Sequence, residues 1–311
     1  MTTREIDNAA WPDARPRLSV LIPFHRNDPS DLIRRLDSEA AALAGAIELV
    51  LLDDGGGDAA LTTRVAQRLA RLALPARLVV LSQNVGRARG RNRLAAAARG
   101  RTFLFLDSDM RPDAPDFLQV WADLEAVQTP AVAIGGFSLL QAPDAPEFAV
   151  HRALAAASEC IPAAVRARTP EKYVYTSNLM VRRDVFSAEA FDTGFSGWGW
   201  EDVEWGLRVA RRHKVLHPDN PATHMGLDTV ATLAAKYASS GANFARVAER
   251  HPEVRNWPGY RAARLLQRLP WPPAVTARLA LKAAEEPRLP VRARAFALRL
   301  YRAAVYAGAL P

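Results

Sequence analysis

The sequence predicts an α/β fold, helices layered on a mostly parallel sheet with a helical C-terminal extension, and three observations carry that expectation. Four strand-helix units follow one another in a row, which favours a parallel sheet with crossover helices. Their strands are short and mostly apolar, as strands covered on both faces require. Beyond Leu227 this pattern stops and Ala/Arg-rich helical periodicity replaces it.

With 311 residues, 49% hydrophobic and 24% charged, the chain is long enough for one large domain or a domain plus an appendage, with the composition of a soluble globular protein. The single cysteine, Cys160, excludes an intramolecular disulfide and a cysteine-based zinc cluster and fits a reducing compartment. The formal net charge is +8, with much of the excess beyond residue 245. A basic surface of this kind attracts nucleic acid, anionic lipid or a phosphorylated substrate. Residues 1–16 are polar and Pro-containing, unlike a signal peptide, and read as a flexible tail. No uncharged apolar run reaches the roughly 18 residues of a membrane span.

In chain order, Leu18 to Ile22 is the first strand, stopped by Pro23 and followed by the loop Phe24-His25-Arg26-Asn27. A helix beginning near Asp28 to Ser30 carries Leu32, Ile33, Leu36 and Leu43 at helical spacing. Ile47 to Leu52 is the second strand and runs into Asp53-Asp54-Gly55-Gly56-Gly57-Asp58. A carboxylate at that point suits the ribose or base edge of a nucleotide, and a solvated helix-capping turn is the plainer alternative. A helix over 59–73 and a strand over 77–82 follow. Then Gln83-Asn84-Val85-Gly86 opens an Ala-rich helix crowded at its start with Arg87, Arg89, Arg91 and Arg93. The helix dipole disfavours cations there, so an anion is expected nearby, and a diphosphate is one candidate. RNA is a weaker one, because no aromatic residues interleave the arginines.

Thr102 to Leu106 is the central strand, and it ends in Asp107-Ser108-Asp109. Two carboxylates one residue apart, at the carboxyl end of a parallel strand, can share a hard divalent cation such as Mg²⁺ or Mn²⁺. Taken in this order, these motifs resemble the nucleotide-sugar half of GT-A glycosyltransferases, the family 2 enzymes in particular. Where that family usually continues Asp-Asp-Gly with Ser or Thr, this chain has Gly56 and Gly57. The resemblance implies that Asp53 or Asp54 contacts the nucleoside, that Arg91 contacts the diphosphate, and that Pro23, His25, Asn84, Asp107 and Ser108 line the nucleotide. It assigns the metal to Asp107 and Asp109.

Downstream, a helix is expected over 115–127, a strand over 131–140 around Gly135-Gly136, and a strand over 173–181 whose Thr176-Ser177-Asn178 segment can face a sugar or solvent. Phe191 to Trp205 combines glycines and aromatics with Glu201-Asp202 at a helix start. Its Trp198-Gly199-Trp200-Glu201-Asp202 resembles the Trp-Gly-x-Glu-Asp segment of galactosyltransferase-like and chondroitin-polymerase-like GT-A enzymes. That likeness implies Asp202 as general base, Glu201 as the residue orienting the acceptor, and Trp198, Gly199 and Trp200 as the sugar-binding surface. It also points to galactose or an N-acetylhexosamine. His224, after a strand over 214–217, is the implied third metal ligand, in preference to His217.

The expected organisation is a tail to residue 16, a catalytic domain over 17–226 divided near 113, and a helical extension over 227–311. The extension begins with one helix over 229–250 and ends in a helix bearing Arg288, Arg292, Arg299 and Arg302, able to pack on the domain or lie on anionic lipid. The resulting expectation is a metal-dependent, inverting transferase that moves a sugar from a nucleotide-diphosphate donor, UDP first, to a hydroxyl of a glycan or glycoconjugate. It would be cytoplasmic, with peripheral contact at the inner face of the membrane left open and no nucleic acid partner. A sugar nucleotidyltransferase and a non-enzymatic polyanion- or membrane-binding protein are the alternatives.

Overall fold

The computed structural model describes residues 2–43 and 45–311. Its strands are β1 (Thr3–Asp7), β2 (Leu18–Phe24), β3 (Ile47–Asp53), β4 (Ala76–Leu81), β5 (Thr102–Leu106), β6 (Met110–Pro112), β7 (Val132–Ile134), β8 (Phe137–Ser138), β9 (Asn178–Arg182), β10 (Val215–Leu216) and β11 (Ala222–His224). The helices of the α/β half are α1 (Ser30–Asp37), α2 (Ala59–Leu69), α3 (Arg87–Ala97), α4 (Phe117–Gln128), α5 (Ala149–Ser158), α6 (Ala163–Arg166), α7 (Arg183–Ala188) and α8 (Glu201–Ala210). Those of the extension are α9 (Val230–Ser239), α10 (Gly241–Arg250), α11 (Pro258–Leu266), α12 (Pro273–Glu285) and α13 (Val291–Ala309).

The four apolar runs become β2, β3, β4 and β5, the parallel centre of an eight-stranded sheet ordered β1-β4-β3-β2-β5-β9-β7-β10. Because β3, β2 and β5 are parallel neighbours, Asp53, His25 and Asp107 emerge at one edge, where open α/β sheets bind ligands. Every residue of β3 is buried, including Glu48, whose carboxylate is satisfied by Ser19 Oγ at 2.7 Å and by Arg99 Nε at 2.9 Å. Apolar clusters cover both faces of the sheet, one around Ile22, Leu51 and Trp121, the other around Val50, Phe105 and Trp205. A second sheet, β6-β11-β8, places His224 opposite Met110, beside the acidic turn.

Several expectations needed correction. Much of the segment read as a flexible tail is ordered: β1 pairs antiparallel with β4, covering its edge, and Trp11 is buried. The Trp11 ring lies between the guanidiniums of Arg99, 3.7 Å from its centroid, and Arg77, at 4.6 Å. Thr3–Asp7 has one large apolar side chain, so strand periodicity had nothing to register. The strand expected over 131–140 is two short strands in different sheets, and the one expected over 173–181 begins only at Asn178. The helix expected over 229–250 is α9 and α10, parted at buried Ser240. There α13 comes so close that a Cβ on Gly241 would stand 3.3 Å from that of Ala309.

The extension is not a separate body. Phe244, Val247 and Tyr306 pack with Trp200, Val203 and Leu207, while Leu233, Tyr237 and Leu298 pack with Val150 and Leu154 of α5. No described helix is long and apolar enough to cross a membrane.

The position of Trp11 leads to a first prediction. Trp11→Ala should lower the unfolding free energy by roughly 3 kcal/mol in a urea titration, the usual cost of deleting a buried aromatic side chain. An unchanged midpoint would mean that the segment is not part of the fold.

Candidate active site

The two acids after β3 are buried and engaged. Asp53 accepts hydrogen bonds from Thr62 Oγ1 at 2.5 Å and from the Gly56 amide at 3.1 Å. The Asp54 carboxylate accepts from the Val85 and Gly86 amides at 2.8 and 3.2 Å, at the amino end of α3. Asp54 is therefore an anion at the Arg-crowded helix start, supplied by the protein itself. Its carbonyl accepts from Asn84 Nδ2 at 3.1 Å and lies 3.0 Å from His25 Nδ1, so Asn84 and His25, both exposed, are held side by side at the rim. Pro23 is half-buried at the end of β2, and Ser108 Oγ accepts from Asn27 Nδ2 at 2.5 Å.

Arg91 does not face open space. It is 3% exposed, donating to Asp107 Oδ1 at 2.8 Å and to Glu201 Oε1 at 3.3 Å. The other Asp107 oxygen accepts from Ser177 Oγ at 2.7 Å. Burial alone would raise the Asp107 carboxyl, but the charges of Arg91 and Arg87 and the Ser177 hydrogen bond outweigh it and hold the group below the usual carboxylate range. A cleft beside this chain is lined by Asn84, Gly86, Arg87, Phe195, Ser196 and Glu201. Arg87 and Arg89, both exposed at the start of α3, are thus the arginines offered to an anion in the cleft.

Asp109 meets a different partner. Its Oδ2 lies 3.4 Å from His224 Nε2, and Gly226 makes that approach possible, since a Cβ there would stand 2.2 Å from the same oxygen. His224 Nδ1 is buried and has no hydrogen-bond partner. One carboxylate and one imidazole converging in this way fit a borderline divalent ion such as Mn²⁺. Asp107, with both oxygens engaged, does not converge on that point. Behind His224 stand His151 and Glu159, with one ligand atom of each of the three within 4.8 Å of the others. Burial, then the charge of His224, pushes His151 down to about 4, and burial raises Glu159.

Glu201 and Asp202 open α8. Burial, then the charge of Glu201, pushes the Asp202 carboxyl up to about 7, against the pull of Arg91. The two tryptophans differ from the expected sugar platform. Trp200 is tucked against Phe244, with ring centroids 4.9 Å apart, and its Nε1 donates to Tyr306 Oη at 3.0 Å. Trp198 is half-buried and packs edge-on against Tyr237 at 5.8 Å. The Gly199 carbonyl accepts from Asn243 Nδ2 at 2.9 Å, and the same amide reaches the Ser196 carbonyl at 2.8 Å. Asn178 likewise serves the backbone, donating to the Gly136 and Asn220 carbonyls.

Sequence reasoning missed Ser177 as a partner of Asp107, Asn243 as the clasp of the loop before α8, and the His151/Glu159 pair. Ser177 lies in a segment notable for its polar side chains, but nothing in the local sequence links it to Asp107, and the other residues lie within no legible motif. Arg87 could have been found, because position 87 is the first residue of α3 and position 91 lies one turn further in.

Residues 19–187 match the model of the family described as glycosyl transferase family 2. No curated protein is a significant match to the chain. Among solved structures, it is similar to a mannosyltransferase, PcManGT from Pyrobaculum calidifontis, in complex with GDP-Man and Mn²⁺, with TM-score 0.56 and 18% identity over 97% of this chain and 90% of that one. It is also similar to S. aureus TarS 1-349, solved alone and with UDP-GlcNAc, in each case with TM-score 0.51 and 15% identity over 92% of this chain and 89% of that one.

The buried position of Arg91 makes a stability prediction. Arg91→Met strands two carboxylates against apolar surroundings and should cost about 3 kcal/mol or more in denaturant unfolding, with partial recovery in Arg91→Met/Glu201→Gln. Wild-type stability in the single variant would mean that water reaches the group freely.

Proposed function

The chain belongs to glycosyl transferase family 2, and from that premise we propose that it is a metal-assisted, inverting enzyme in which Asp202 is the base and Asp109 and His224 hold the ion. The coarser part is established: the protein is a nucleotide-sugar glycosyltransferase of GT-A fold, which replaces the nucleotidyltransferase alternative. The observation that carries the finer reading is the chain of contacts Asp107–Arg91–Glu201, which sets the proposed base beside the acidic turn at the end of the central strand.

In this reading the acceptor hydroxyl gives its proton to a carboxylate oxygen of Asp202 while its oxygen bonds to the anomeric carbon. The bond from that carbon to the β-phosphate oxygen breaks on the opposite face, and the nucleoside diphosphate leaves with the electron pair. A carboxyl near 7 is a competent base at neutral pH, because its proton affinity is close to what the alcohol offers in the transition state. Arg87, exposed at the cleft, offsets phosphate charge. Glu201, tied to Arg91, is the candidate for orienting the acceptor. Asp109 and His224 would hold a divalent ion, which when bound would supply Lewis-acid stabilisation of the departing diphosphate. The Trp-Gly-x-Glu-Asp likeness supports galactose or an N-acetylhexosamine as the first donors to screen, on UDP before GDP.

Calorimetric titration of UDP and GDP with Mn²⁺ and with chelator tests the donor side. Binding should require metal and fall at least tenfold in Asp109→Ala, and failure of both nucleotides with metal present would sink the donor-site assignment. On the acceptor side, Asp202→Asn should cut turnover by about 10²–10⁴-fold with donor binding intact. Because the base acts deprotonated, kcat/KM should fall about tenfold per unit as pH drops below about 7 and level off above it. A profile flat from pH 5 to 8 would remove Asp202 from the role.

A further inference from the structure

Residues 257–311 contain ten Lys/Arg and two Asp/Glu, so they carry the chain's entire net excess of +8 while the remainder balances to zero. The same segment concentrates exposed apolar surface. Of the ten exposed large hydrophobic side chains among the described residues, seven lie between Leu265 and Phe296, with Phe296 68% and Leu279 62% exposed. Isolated exposed apolar residues are ordinary, but a concentration of them within the most basic part of a chain marks an interaction surface.

The two properties interleave on the helices. On α12, Val275 and Leu279 are one turn apart on an exposed face that also holds Arg278 and Lys282. On α13, Phe296 is flanked one turn either way by exposed Arg292 and Arg299. A short connection over 286–290 joins the two helices, which pack along each other. Leu279 lies six residues before the end of α12 and Phe296 five after the start of α13, so the two stand at similar height along the hairpin.

We propose that this face, with Trp271 at the turn leading into α12, is a docking surface for an anionic lipid bilayer. Leu279, Phe296 and Trp271 enter the boundary between headgroups and acyl chains, and the surrounding arginines meet lipid phosphates. The charge selects this occupant. A second copy of the same face would bring like charge against like charge, and a nucleic acid would use the arginines but leave exposed leucine and phenylalanine without a partner. The surface is coupled to the catalytic half through α13. About 15 Å along the helix from Phe296, by helical rise, Tyr306 holds the indole of Trp200, the residue before Glu201.

Co-sedimentation of the full chain with phosphatidylglycerol/phosphatidylcholine vesicles, and with phosphatidylcholine vesicles alone, tests the assignment. Binding should be at least tenfold stronger to the anionic vesicles and weaken with salt. Leu279→Ser/Phe296→Ser should reduce it at least tenfold while leaving the thermal midpoint and Mn²⁺-dependent UDP binding unchanged. Absence of binding to either vesicle overturns the proposal. Equal binding by wild type and double variant also overturns it, since general charge attraction then suffices. Light scattering that shows a dimer dissolved by the double variant would assign the face to a second copy instead. The UDP readout keeps failure here distinct from failure of the donor-site assignment.

Discussion

The guanidinium of Arg91 bridges the two halves of the catalytic domain. It comes from α3, in the half that begins at β2, and its two arms reach Asp107 at the end of β5 and Glu201 at the start of α8. These carboxylates are more than ninety residues apart in sequence and would repel each other if the cation were absent. A buried ion pair rarely adds net stability over apolar packing, but removing one member is costly, so such a contact specifies an arrangement more than it strengthens it. The arrangement specified is the distance between the acidic turn and the first turn of α8, the distance on which the proposed chemistry depends.

The extension holds the other side of α8. Trp200 adopts φ of +77°, a left-handed conformation that for a bulky residue costs on the order of 1–3 kcal/mol. Its ring packs against Phe244 and Tyr306, which stack on each other at 4.2 Å, its indole donates to Tyr306, and Asn243 clasps the loop that precedes it. Further out, Asp192 binds Arg246 at 2.9 Å and also Arg250, and with the Gly194 amide these contacts outweigh burial and hold its carboxyl down at about 2. Packing of α10 and α13 thus maintains a backbone bend that sends Glu201 and Asp202 in the direction they take. The extension acts as a brace for the start of α8.

The parallel centre of the sheet was legible because β2, β3, β4 and β5 are apolar runs ended by turn residues, a pattern that depends only on local sequence. The acidic turn, the α8 acids and His224 were legible as candidates for the same reason. What each side chain touches was not. Arg91 and Arg87 sit in one cluster of four arginines and share a face of α3, and only the extra turn of depth along the helix buries Arg91 while Arg87 stays at the rim. Trp198 and Trp200 flank one glycine, yet Trp200 is directed into the extension by partners at 244 and 306 that no local pattern connects to it. β1 escaped notice because an edge strand with one covered face and a single large apolar residue lacks the alternation that marks longer strands.

The two acids of the Asp-Ser-Asp turn have diverged in use, and the strand register accounts for it. Asp107 follows directly on β5, where Arg91 and Ser177 each donate to one of its oxygens. Asp109 comes two residues later, at the entry to β6, and the pairing of β6 with β11 brings His224 alongside it. The guanidinium already offsets the charge of Asp107, whereas among the described residues the Asp109 carboxylate faces the His224 imidazole. Burial lowers the affinity of His224 for a proton, but the hydrogen bond and charge of Asp109, with Glu159 and Asp107 nearby, outweigh it and raise that affinity overall. The pair therefore favours positive charge, and the divalent ion proposed for it would have to displace the proton on His224. Competition between these two is the electrostatic state that a metal at this position must overcome.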